Sequence, residues 1–220
     1  MSTRRRTRRT AGNTGARPRT SGATAVQLLP HLLAAGELGR PRVGDTLEVA
    51  PAIYAGVVHP DATHHGTRPT DHWSVDEFGC VDARGTLTTI HLDPAGGCTC
   101  RIEVLDAGGW LAPVNWAAAQ PPEGDSPVHL DGSLYLDPVL EPGTEHGDAV
   151  ALCRRPFRLA AVRRYRRTLD VPVAPVPLPR FPAPAEVTED AVYIADLVAD
   201  RSFDAPETAS GAAAPDGAGT

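Results

Sequence analysis

Lysine is missing from this chain of 220 residues, so that all 21 of its permanently basic side chains are arginines. The absence excludes several chemistries. There is no P-loop lysine for a nucleotide phosphate, no kinase-type strand lysine, no Schiff-base lysine and no Ser-x-x-Lys pair. Asparagine and glutamine are also scarce while alanine, glycine and proline are abundant, a bias typical of GC-rich coding sequence that accounts for the missing lysine but not for where the arginines stand. Cysteine is limited to Cys80, Cys98, Cys100 and Cys153, too few for a disulfide scaffold and without C-x-x-C spacing, so a reducing, cytoplasmic setting is expected. No apolar run approaches the ~20 residues that span a bilayer. The longest, from Ala25 to Gly36, is broken by Gln27, Pro30 and His31, and it lies too far from the Arg-Arg pairs to read as a signal peptide. A Gly-x-Ser-x-Gly elbow, a glycine-rich dinucleotide fingerprint and a paired-acid signature are absent as well.

What the chain does have is charge segregation. Residues 1–36 carry seven Arg and no acid, residues 37–153 carry five Arg against eighteen acids, residues 154–167 return to seven Arg without an acid, and the remainder holds two Arg and nine acids. A guanidinium never deprotonates and binds phosphate or carboxylate through two parallel hydrogen bonds, so both blocks suit acidic groups. Arg4, Arg5, Arg6, Arg8 and Arg9 in the arm, with Arg163, Arg164, Arg166 and Arg167 in the second block, are the candidates for contact with nucleic acid or an acidic protein surface. The second block also has an internal alternative, because the preceding segment offers a surplus of thirteen acids (18 − 5) for it to neutralise.

Residues 1–24 lack large apolar side chains and read as a disordered arm. The leucines at 28, 29, 32 and 33 predict a short helix over 25–39, with Pro30 in its first turn and Gly36 and Gly39 as stops. From 40 to 170 the pattern becomes short β-branched and aromatic runs punctuated by Gly, Pro and Asp. Strands are expected at 46–49, 53–58, 86–92, 100–105, 134–136, 149–153 and 157–169, making a mainly β domain, a compact small barrel or sandwich. In the last of these, Phe157, Leu159, Ala161 and Tyr165 are expected inward and Arg158, Arg164 and Arg166 outward, with a bulge near Arg163, whose parity is wrong. Six prolines between 171 and 186 predict an extended linker, residues 187–202 a C-terminal amphipathic helix behind the N-cap Thr188, and 203–220 a disordered tail.

The densest group of metal-ligating side chains is His59, Asp61, His64, His65 and His72, five imidazoles and carboxylates within fourteen residues. Such groups suit a divalent transition metal, although the spacing follows no established metal motif. Cys98 and Cys100, two apart, would share one face of a strand, while Cys100 and Cys153 read as core. These features predict a non-enzymatic β-rich binding or regulatory protein without a cofactor, engaging nucleic acid or an acidic partner through its arginines. The alternatives are a metal-dependent hydrolase or metal-binding protein using the 59–72 loop, and an assembly protein docking through its C-terminal helix.

Overall fold

The computed structural model describes residues 22–60, 71–92, 100–116, 126–140, 143–166 and 174–199. Strict alternation builds the central strands. In β5 (Cys80–Leu92), Val81, Ala83 and Leu87 are buried while Asp82, Arg84, Thr86 and Thr88 stay accessible. In β8 (Ser126–Tyr135), Val128, Leu130 and Leu134 are buried in the same way. Each strand therefore shows one face to a core and the other to water.

These strands close a small barrel with β3 (Ala52–Pro60), β6 (Cys100–Ala107) and β7 (Trp110–Trp116). Around the ring β8 pairs with β3, β3 with β7, β7 with β6, β6 with β5 and β5 again with β8; only the β3–β7 pairing is parallel. Strand β5 takes part twice, pairing with β8 through its first half and with β6 through its second. The two halves overlap at Thr86 and Leu87, and at Gly85, just before the overlap, a Cβ would lie 1.9 Å from the carbonyl oxygen of Asp106. Gly132 in β8 is a second such position, with a Cβ falling 2.4 Å from the Tyr54 carbonyl oxygen. Closure of so narrow a ring thus depends on two strand residues that have no side chain. The short β4 (His72–Val75) adds to the free side of β5.

A second layer is centred on β9 (Arg155–Arg166). One side of β9 pairs with β11 (Ala191–Ala199), and the other with β2 (Thr46–Val49) and then β10 (Val176–Leu178). Strand β1 (Ala23–Leu28) lines the far side of β11 and meets β8 through a single parallel bridge, Gln27 to Tyr135. Val26, Leu28, Phe157, Leu159, Val162, Tyr193 and Leu197 join Ile53, Leu87, Leu105 and Leu130 in one continuous core.

Several expectations change. The region 25–39 is strand first: β1 occupies Ala23–Leu28, taking in residues 23 and 24 of the expected arm, whose residues 1–21 lie outside the described ones, and only Pro30–Ala35 is helical (α1). Proline stands at the first helical position and Gly36, at φ 77°, follows the last turn of that segment. Residues 191–199 form β11 in place of a helix. Lying between β1 and β9, this strand buries Tyr193 through Leu197 without interruption, and a β-branched and aromatic run covered on both faces shows no clean period of two. The proline-rich segment does not merely link: Val176–Leu178 pairs with β9, Phe181 is buried, and the Phe181 amide donates to the Pro41 carbonyl at 3.0 Å. An edge position tolerates its prolines. Residues 149–153 are not a strand: a short helix, α2 (Glu145–Ala149), whose amide at Gly147 donates to the Thr144 hydroxyl, runs into a 3-10 turn at Ala151–Cys153. The tail 203–220 lies outside the described residues.

Candidate metal centre

On the outer face of the barrel, β5 and β8 set polar residues side by side. Alternation that sends Val81 and Ala83 inward brings Asp82 and Arg84 out, and in β8 Val128 and Leu130 do the same for His129 and Asp131. The register then makes Asp82 the direct cross-strand partner of Asp131, and Arg84 that of His129. His129 Nε2 stands 3.2 Å from Asp82 Oδ1 and 3.9 Å from Asp131 Oδ1. One atom from each of Asp82, His129 and Asp131 falls within 4.8 Å of the others. Ligand atoms bound about 2.0–2.2 Å from a tetrahedral ion are about 3.3–3.6 Å apart, so this triplet needs only small side-chain adjustments to hold one.

Two of the five histidine and aspartate candidates from sequence fall on strands that flank this face. His72, in β4, pairs with Arg84 and places Nε2 3.8 Å from Asp82 Oδ1. Position 59, in β3, is the cross-strand partner of His129. Asp61, His64 and His65 lie outside the described residues. Asp82, His129 and Asp131 were not among the sequence candidates, because they are brought together from strands 47 to 49 residues apart. The signal for them was the pair of i, i+2 motifs Asp-Ala-Arg and His-Leu-Asp inside alternating strands, which put two polar groups of each strand on one face.

The arginine block is arranged differently from expectation. A register shift at Asp196/Leu197 of β11 leaves Ala160 of β9 without a partner, so the bulge comes three residues before Arg163. It flips the parity beyond it. Arg158, Ala161, Arg163 and Tyr165 therefore share one face, while Val162 replaces Ala161 in the core and Arg164 and Arg166 lie on the other side, which breaks the outward row of Arg158, Arg164 and Arg166. Arg163 is engaged internally: it pairs with Asp196 at 2.5 Å, donates to the Glu77 carbonyl at 3.2 Å and packs over the Tyr165 ring. Both sides of β9 are paired, with β11 on one and with β2 and β10 on the other. Arg4, Arg5, Arg6, Arg8, Arg9 and Arg167 lie outside the described residues.

Burial pushes the Cys153 thiol up to about 12, and at Cys80 desolvation, then the Asp76 carboxylate, raise the thiol as well. A different carboxylate is more enclosed than those of the candidate centre. Glu103, 2% exposed, faces the barrel interior, where it accepts from the Thr89 hydroxyl at 2.8 Å and from the Arg101 guanidinium. Its lone pairs are taken up within the fold. Cys98 lies outside the described residues. No known protein family matches this chain, and neither does a curated protein or a solved structure.

Proposed function

We propose that this protein is a small-barrel metal-binding protein that holds a divalent transition metal on its outer face through Asp82, His129 and Asp131, with His72 at the rim. One observation carries the reading: Asp82 and Asp131 are direct cross-strand partners whose carboxylates share a single imidazole nitrogen. Like charges directly opposite one another on a sheet oppose pairing, and a cation between them reverses the sign of that interaction. Two carboxylates and an imidazole suit zinc, manganese, iron or nickel better than calcium or copper(I). Three protein ligands leave coordination positions for water, the arrangement from which a metal-dependent hydrolase would work.

Native mass spectrometry and titration calorimetry of the untagged protein test it. One zinc or manganese ion per chain is expected, lost in His129→Ala and weakened at least about tenfold in Asp82→Asn. A chain that stays bare with either ion overturns the reading. A second reading rests on the seven arginines that precede any acid: the arm engages nucleic acid or an acidic protein surface. Deleting residues 1–20 should then abolish salt-sensitive binding to a random oligonucleotide.

A further inference from the structure

The residue between the two imidazoles of the candidate centre is a guanidinium. Arg84 is the cross-strand partner of His72 on one side and of His129 on the other, and it lies two residues along β5 from Asp82, on the same outward face. Directly opposed side chains on a sheet have Cβ atoms about 4.5–5.5 Å apart and diagonal ones about 7–8 Å, so Arg84 is a near neighbour of His72 and His129 and lies diagonally across from Asp131, within reach of a long side chain. Among the described residues its side chain nevertheless makes no ion pair or hydrogen bond, whereas the side chains of Arg101, Arg163 and Arg180 each pair with a carboxylate. Its side chain is exposed.

We infer that the metal and Arg84 together form a binding site for a phosphoryl oxyanion, free phosphate or a phosphate monoester; this rests on the metal reading above. The local charge supplies the reason. Asp82, Asp131 and Arg84 sum to −1, and a divalent ion raises the sum to +1, so that metal binding converts a surface that repels anions into one that attracts them. A tetrahedral oxyanion has the shape to use both partners, one oxygen completing the open coordination of the ion and two others accepting the parallel N–H groups of the guanidinium. His72 flanks Arg84 on the β4 side and offers a further donor. Without the ion, the two carboxylates keep the anion out.

The test uses the full chain and manganese, whose unpaired electrons relax the ³¹P nucleus of nearby phosphate. Free manganese is counted by electron spin resonance, while inorganic phosphate and phenyl phosphate are titrated separately. Wild-type protein should enhance ³¹P relaxation only when loaded with manganese. Arg84→Gln should keep its manganese and its melting temperature but bind phosphate at least about tenfold more weakly, the scale of one lost charge-assisted bidentate contact. Enhancement by both compounds assigns a phosphoryl site open to esters, and enhancement by inorganic phosphate alone assigns a site for the free ion. Stoichiometric manganese with no enhancement, or Arg84→Gln equal to wild type, overturns the inference and leaves the metal reading standing. Failure to bind manganese or zinc at all removes both.

Discussion

Arg163 and Asp196 form an ion pair at 2.5 Å on the outer side of the second sheet, diagonally across β9 and β11, with only 17% and 11% of their side chains exposed. The same guanidinium reaches the carbonyl of Glu77 in the turn between β4 and β5, and Phe78 of that turn packs against Tyr165 with ring centroids 5.2 Å apart. Arg163 therefore fastens the turn of one layer to the central strand of the other. Removing one partner of a buried pair leaves an uncompensated charge, which costs about 3–5 kcal/mol when burial is complete. For this partly screened pair Asp196→Ala should cost about 2–3 kcal/mol in urea denaturation. The double change Arg163→Met with Asp196→Leu should cost less than the single one, because it leaves no orphaned charge.

At the candidate centre, stability and binding should move in opposite directions. Asp131→Asn removes a like charge that faces Asp82 directly, so the metal-free protein should gain about 0.5 kcal/mol. The same change should weaken zinc or manganese binding at least about tenfold. Thermal melts with and without ion check both signs. A variant that melts lower than wild type without metal would show that His129 already balances the two carboxylates.

Barrel closure at Gly85 leaves no room for a methyl group. The atom that a Cβ would strike at 1.9 Å is backbone, as is the Asp106 carbonyl carbon at 2.7 Å, so no side chain can turn aside. Gly85→Ala should destabilise by about 3 kcal/mol or more, at the upper end of overpacking, and Gly132→Ala should follow it. Gly109, with open space around its Cβ direction but φ at 85°, provides a control that isolates backbone strain.

Glu103 is expected to matter for the barrel rather than for binding. Glu103→Ala removes the partner of both Arg101 and Thr89 and leaves a small cavity, a loss of about 2–4 kcal/mol. Metal binding on the outer face, measured in the fraction that folds, should be unchanged.

Acid should loosen the segment around Glu186. Its carboxylate accepts from the Ala183 amide at 2.7 Å and pairs with Arg180 at 2.8 Å, and these hold its pKa below the usual carboxylate value, the amide contributing most. A depressed folded pKa gives stability that is present above the unfolded value and lost as the pH falls through the folded one. Denaturation of wild type and Glu186→Gln from neutral pH into the acid range should show a difference that shrinks with acidification.

How far the structure was legible depended on which residues a strand faces. Where one face is wet, as at 46–49 and 86–92, alternation marked the strand, and β2 and the second half of β5 stand where it placed them. β11 carries apolar residues on both faces, so its run of Val192 to Val198 matched a helical stripe equally well, and only its place between β1 and β9 decides the matter. β7 and β1 were missed for a related reason: Pro113 in one and Gln27 in the other interrupt runs that long-range pairing nevertheless holds as strands. The candidate centre was half visible. His59 and His72 stood out as members of a dense cluster, but Asp82, His129 and Asp131 become neighbours only through the β5–β8 register, which no local pattern encodes.

The pairing of β1 with β11 imposes an order on folding during synthesis. Residues 52–135 contain all five strands of the closed ring, so the ring has its partners once Tyr135 has emerged from the ribosome. β1 is made before the ring yet waits for Tyr193 to Val198, some 165 residues later, to cover its length. Until then its only strand pairing among the described residues is the bridge from Gln27 to Tyr135, and the apolar side chains of Val26 and Leu28 lack the cover of β11. Such an interval leaves apolar surface uncovered, the condition under which chaperones bind incomplete chains and proteases cut them.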